Sequence, residues 1–373
     1  MGPTSPSGLR ARTIFRSDSR GERWGCRADS GKEYKFFGEA IPRVISIDSI
    51  KKLVWEATDI TLSLFRIMVP ILIAVKILKE LGMIEILAGW LAPVMQMVGL
   101  PGSMGLAWAS AMLNTFYAGL IVFASLSADN PLTVAQTTVL YSIMLVAHGL
   151  PMELAIARKA GARPVAMGLF RVGCGFLFGL CLHHLYQWGG WLQQPNVLAW
   201  VPPSQEPSLV SWAVNQAKTL AMIYVIILAL VILLRILAHL GITGIITRLL
   251  QPVLTVLGIG SSAATITIVG MTLGLAYGGG LIIREANSDR IDKRDIFSAL
   301  ALMGLCHSLI EDTLLTVILG GDMSGVFWGR IVFSMACVFL LVRVISRISD
   351  AGFYRYFFMP GAAATESEQG MPH

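Results

Sequence analysis

Two short stretches decide the fold: AHGLPMELA at residues 147–155 and CHSLIEDTL at residues 306–314. Each sets a histidine and an acid inside a long apolar block, and the histidines stand 159 residues apart. The same shift lays Leu81-Gly82 on Leu240-Gly241, Pro93-Val94 on Pro252-Val253 and Gly99 on Gly258, without a gap. It also lays Gly119 on Gly278, Glu153 on Asp312 and Arg171 on Arg330. Leucine falling on leucine in an apolar chain means little. Histidine on histidine and arginine on arginine mean more, because such residues are costly at bilayer depth and correspondingly rare there. The chain therefore reads as an internal repeat.

The surroundings of these stretches fix the solvent. Hydrophobic residues make up 55% of the chain and charged residues 14%, and the mean hydropathy is +0.67, which excludes an ordinary soluble domain. Apolar blocks lie at about 57–78, 83–99, 103–125, 133–157 and 165–187, and again at 212–236, 241–258, 262–283, 295–319 and 325–346. Blocks of roughly 20 residues match the hydrocarbon thickness of a bilayer and exclude a β-barrel. The expected fold is an all-α polytopic membrane protein with about ten membrane segments in two inverted five-segment repeats. The second block of each set is short and interrupted, by Pro93 in one copy and by Arg248 and Pro252 in the other, so it either spans or is re-entrant.

Charge supplies the orientation. Of the 29 Lys and Arg, 11 precede residue 53, ahead of every apolar block, so the net charge of +6 is a topology signal and not a nucleic-acid footprint. Residues 1–50 read as a basic cytoplasmic tail, 51–190 as the first repeat, 191–210 as an external linker, 211–348 as the second repeat and 349–373 as a cytoplasmic tail. Arg158, Lys159 and Arg163 follow the fourth block of the first copy. In the second copy the basic loop moves to 284–295, with Arg284, Arg290, Lys293 and Arg294. The basic bias thus changes places between equivalent loops, as inverted copies require. A four-crossing repeat would instead make the copies parallel and put one basic loop outside. Lys76 and Lys79 fit poorly, since they fall in a loop assigned outside.

The candidate path residues follow from the repeated polarity: Asn114, Tyr117, His148 and Glu153 in the first copy, with Tyr277, Gly278, Gly279, His307, Glu311 and Asp312 in the second. On a continuous helix His307 and Glu311 share a face, whereas His148 and Glu153, five apart, diverge. Buried acids need a partner or water, which suits a site for a cation, a proton or a polar solute, or else structural pairing. Arg171 and Arg330 are expected to pair structurally with those acids or to snorkel to the interface, the alternative being a clamp for an anionic substrate. The glycines around Gly278 suggest a broken third helix or close packing. Histidine with carboxylate suits hydrogen bonding as well as metal ligation, so the metal is left unknown. Five cysteines with no CxxC give no disulfide framework, and no nucleotide-cradling loop, nucleophile elbow or HExxH motif occurs. No enzyme activity and no cofactor are expected.

The stretches LKELGMIEILAGWLAPVMQMVGLPGS and LAHLGITGIITRLLQPVLTVLGIGSS, with the helices around His148 and His307, resemble the nucleoside recognition or Gate domain family across about residues 55–345. That family groups part of the nucleoside transporters, the membrane part of ferrous iron transporter B, and spore maturation proteins A and B. The chain departs from ferrous iron transporter B in lacking a GTPase domain, and from nucleoside transporters in lacking additional helices. Two joined spore maturation proteins are the nearest likeness. The resemblance implies a membrane protein of transport-related type and nothing sharper about substrate. The expectation is a multi-pass protein of the bacterial inner membrane, N-terminus cytoplasmic, that moves an unknown small solute or ion, nucleoside-like or cationic. The alternative is a non-transporting scaffold or signalling protein. Partners are the lipid bilayer and the solute, with no nucleic acid, and a homo-oligomer is compatible with the sequence.

Overall fold

The computed structural model describes residues 25–27, 33–35, 47–127, 129–196, 208–239 and 291–359, with isolated positions between Leu250 and Ala286. Tyr277, Gly278 and Gly279, the loop arginines Arg284 and Arg290, and most of the block at 241–258 lie outside the described residues. The chain divides into two units, Met1–Trp55 and Glu56–His373. In the first, strands β1 (Gly25–Arg27) and β2 (Glu33–Lys35) pair antiparallel, with Cys26 opposite Tyr34. The described elements of the second unit are all helices, those of an all-α polytopic membrane protein.

Helix α1 (Ile47–Glu80) begins the membrane part, followed by α2 (Met83–Met97). At 1.5 Å per residue, 34 residues extend about 51 Å, ample for one crossing, whereas 15 residues reach only about 22 Å. The third block does not cross. It forms two short helices, α3 (Met104–Leu113) and α4 (Phe116–Ser127), which fold back on each other at Asn114–Thr115. Gly119 of α4 lies so close to α3 that a Cβ there would stand 2.6 Å from the Ala111 methyl and 2.8 Å from the Ala107 carbonyl. Residues 107 and 119 would be about 18 Å apart on one continuous helix. The expected third helix is thus a hairpin, and Gly119 is what lets its arms close.

Helices α5 (Val134–Val146) and α6 (Leu150–Lys159) make one span interrupted at Ala147–Gly149. A capping box starts α5: Thr133 accepts from the Gln136 N–H, and the Gln136 side chain accepts from the Thr133 N–H. Gly149, at φ +59°, ends the first half in the left-handed region, and Pro151 suits the first turn of α6, where no N–H is needed. Helix α7 (Pro164–Gly189) runs back alongside: Gly179 packs on Ile143, Gly175 on Ala147 and Gly168 on Leu154. After α8 (Leu209–His239), the second copy repeats this plan with α9 (Lys293–Cys306), α10 (Glu311–Ile318), and a π-helical turn at Ser324–Gly329 leading into α11 (Arg330–Arg347).

The repeat is visible atom by atom. Gly149 and Ser308, 159 positions apart, both have positive φ, as do Gly161 and Gly320. Ala162 N–H donates to Ala157 and Gly321 N–H to Thr316, again the same pair shifted. The spans Val134–Lys159 and Lys293–Ile318 are equivalent along their whole length, and each is 67% buried, against 39% and 28% for Pro164–Gly189 and Ser324–Arg347. The interrupted spans therefore form the core, and the flanking helices face outward.

These two spans run antiparallel. Near the start of α5, Thr138 accepts from Asp322 N–H at 2.9 Å and Tyr141 donates to Leu319 at 3.2 Å, and both partners lie just past the end of α10. Near the start of α9, Phe297 packs edge-on against Phe357, whose carbonyl accepts from Arg163 N–H, just past the end of α6. Equivalent spans crossing in opposite senses are inverted copies. One end of the molecule gathers Arg163, Arg294 and the last turn of α11. There a short helix, α12 (Asp350–Tyr356), closes the surface: Arg294 donates to the Ile348 carbonyl and pairs with Asp350 at 2.8 Å, while Phe353 is buried. Residues 349–359, expected to begin a tail, are thus a packed strap. Lys79 lies at the other end beside Asp129, 2.6 Å away, and Lys76 pairs with Glu80, so the two misplaced lysines are each matched by an acid.

Candidate functional site

The interruptions create the site. A broken helix leaves its last carbonyls without intrahelical donors, and in a bilayer these must be met from within the protein. Each histidine returns its Nδ1 to the carbonyl one turn back, His148 to Met144 and His307 to Met303, both at 3.0 Å. The arginines meet the next carbonyls. Arg171 donates to Val146 and His148, and Arg330 to Leu305, His307 and, across the repeat boundary, Leu145. Reciprocally, the Arg171 side chain packs against Gly304, where a Cβ would approach it to 3.0 Å. Both guanidinium groups are buried and serve as cationic caps on the half-helices. Sequence spacing alone does not disclose this role, because it depends on where the helices break.

His148 and His307 meet directly, Nε2 to Nε2 at 3.1 Å, with ring centroids 4.8 Å apart. Equivalent atoms of equivalent residues touch only on a two-fold axis, so the local axis relating the copies passes between the imidazoles. Glu153 reaches the same point: its Oε1 lies 3.3 Å from His307 Nε2 and 3.8 Å from His148 Nε2. Its Oε2 is held by Arg171. The tip of the first hairpin closes the site from one side, with Gly149 N–H donating to the Ala111 carbonyl at 2.9 Å and Asn114 beside it. Leu309 N–H donates to Met271 in the second copy.

The continuous-helix expectation is corrected here. His148 and Glu153 converge because left-handed Gly149 turns the chain between them. His307 and Glu311 do not pair, because Ser308 adopts φ +48° and redirects α10. Glu311 instead accepts from Tyr117 at 2.9 Å, linking α4 to the second copy. Asp312 is buried, yet its Oδ2 has no partner among the described residues, and neither has Arg330 Nη1. Those are the counterparts of the Glu153–Arg171 pair, and Asp312 is one methylene shorter. The structure thus gathers Asn114, Tyr117, His148, Glu153, His307, Glu311, Asp312, Arg171 and Arg330 around the two interruptions.

No family model matches the chain. A membrane protein from Bacillus subtilis (strain 168), YvoD, described as uncharacterized, is 26% identical over 267 residues, covering 70% of this chain and 83% of its own length. Among solved structures, a variant of CNTnw in an outward-facing state is similar in outline, with a TM-score of 0.49 and 13% identity over 79% of this chain and 84% of that one.

Proposed function

We propose that this protein moves a small solute or ion across a bacterial inner membrane, along a path through the junction of its two interrupted spans. One observation carries the proposal: two half-helix junctions from oppositely directed spans meet on a local axis, and the buried histidines, arginines and acids among the described residues converge there. Interrupted helices gather polar groups near the bilayer midplane, the arrangement of many secondary transporters. Here the freed carbonyls are met by Arg171 and Arg330, and the histidine and acid side chains are what a solute would meet. The resemblance to Gate-domain proteins points the same way. The end carrying Arg158, Lys159, Arg163, Arg294 and Arg347 is assigned to the cytoplasm by the excess of basic residues.

Uptake into proteoliposomes tests the reading, with nucleosides, divalent cations and protons assayed separately. The expected result is flux of one class, lowered at least about tenfold by Glu311→Gln/Asp312→Asn, a change worth roughly 1.4 kcal/mol. Absence of flux for every class, from monodisperse and correctly inserted protein, would replace transport with a scaffold role.

A further inference from the structure

We infer that His148, His307 and Glu153 form a binding site for a divalent transition-metal ion of the zinc class, located on the axis between the repeats. Both Nδ1 atoms face carbonyl oxygens, which only accept, so each Nδ1 carries a proton and each neutral imidazole directs the lone pair of Nε2 at the other. Two lone pairs 3.1 Å apart repel unless an electrophile lies between them. The Glu153 oxygen adds a third donor aimed at the same point.

The dimensions of the three-donor set accommodate a metal ion. The three atoms form a triangle with sides of 3.1, 3.3 and 3.8 Å. A circle through its corners has a radius of about 2.0 Å, the length of a zinc–nitrogen or zinc–carboxylate bond. An ion lying within about half an ångström of that plane reaches all three donors at ordinary bond lengths and keeps one position open. Calcium needs six or more oxygens at longer range and does not fit, whereas two imidazoles and a carboxylate suit zinc, iron(II) or cobalt(II). The surrounding groups match a metal site as well. Each histidine is held through its other nitrogen by a backbone carbonyl, and the Glu153 carboxylate is oriented by Arg171, the supports that ligating residues normally have. Arg171 does not compete for the position, since its charge is matched by the other Glu153 oxygen.

Metal binding is tested independently of any transport, on full-length protein stripped with a chelator and held in detergent. Titration with Co²⁺ is expected to give visible d–d absorption saturating at one ion per chain, reversed by Zn²⁺. His307→Gln is expected to weaken binding by about 100-fold, while His183→Gln/His184→Gln, at the end of α7, leaves it unchanged. X-ray absorption of the wild-type complex is expected to show two imidazoles in the first shell, a readout that holds even if the His307 variant misfolds. Failure of folded wild-type protein to bind Co²⁺, a shell with fewer than two imidazoles, or binding lost only in the His183/His184 variant would overturn the site. Proteoliposomes that bind the ion without moving it would leave the site standing and sink only the transport reading.

Discussion

At the scale of the residue, the most informative comparison is between Glu153–Arg171 and Asp312–Arg330. The two pairs occupy equivalent positions, but only the glutamate reaches its guanidinium, leaving Asp312 Oδ2 and Arg330 Nη1 buried without partners among the described residues. A buried polar atom without a partner costs about 1–3 kcal/mol. Asp312→Glu supplies the missing methylene and is expected to raise the thermal stability of the detergent-solubilised protein by up to that amount, whereas Asp312→Ala leaves Arg330 uncompensated and lowers it. A denaturation series on the three proteins decides. The residues involved were legible in the sequence, because histidine, arginine and acid recur at one shift. Their partners were not. His148 and Glu153 come together through the positive φ of Gly149, and Tyr117 finds Glu311 across the repeat boundary, neither of which periodicity on a straight helix can express.

Elements show where apolar periodicity is ambiguous. The block at 103–125 has the length of a span, yet Asn114 and Thr115 divide it into helices of 10 and 12 residues that return to the side they entered from. Length and hydropathy cannot separate a span from such a hairpin, since both are apolar all round when buried. The telling residue is Gly119, whose missing side chain admits Ala107 and Ala111. Gly119→Val places two methyl groups where a Cβ already overlaps, a kind of overpacking that typically costs about 1–3 kcal/mol. It is expected to open the hairpin, and hydrogen exchange over residues 104–127 measures this as faster exchange in the variant with α5 and α7 unchanged. Unaltered exchange would mean that the arms close by some other contact. The short helix α2 is consistent with the same accounting. If α1 crosses once and the hairpin returns, α5–α6 and α7 make three crossings, and an odd number is what antiparallel copies demand.

For the whole molecule, the packing gathers basic residues from both copies at one end. Arg163 and Arg294, from loops of different copies, both bind the segment around α12, so the two basic loops share one face. The opposite face carries exposed Trp188 and Trp191, residues favoured at a membrane boundary, and the stretch from 189 to 196, which has no Lys or Arg. In a cysteine-free background, Gln194→Cys is expected to react with an impermeant maleimide added to whole cells. Lys159→Cys is expected to react only after permeabilisation. The reverse pattern would invert the orientation and sink the cytoplasmic assignment of the basic loops.

The axis between His148 and His307 has a consequence for vectorial behaviour. Two equivalent imidazoles on a two-fold axis lying in the membrane plane present the same groups toward both faces, so on their own they have no means of telling inside from outside. Any preference for one direction must arise where the copies differ. Among the described residues those places include Glu153, which reaches the axis and closes on Arg171 while Asp312 does not reach Arg330, and the Tyr117–Glu311 bond, which has no image because Met152 and Ala276 stand at the equivalent positions. Polarity across the bilayer is thus written in the departures from symmetry, Glu153 among them, and not in the paired imidazoles.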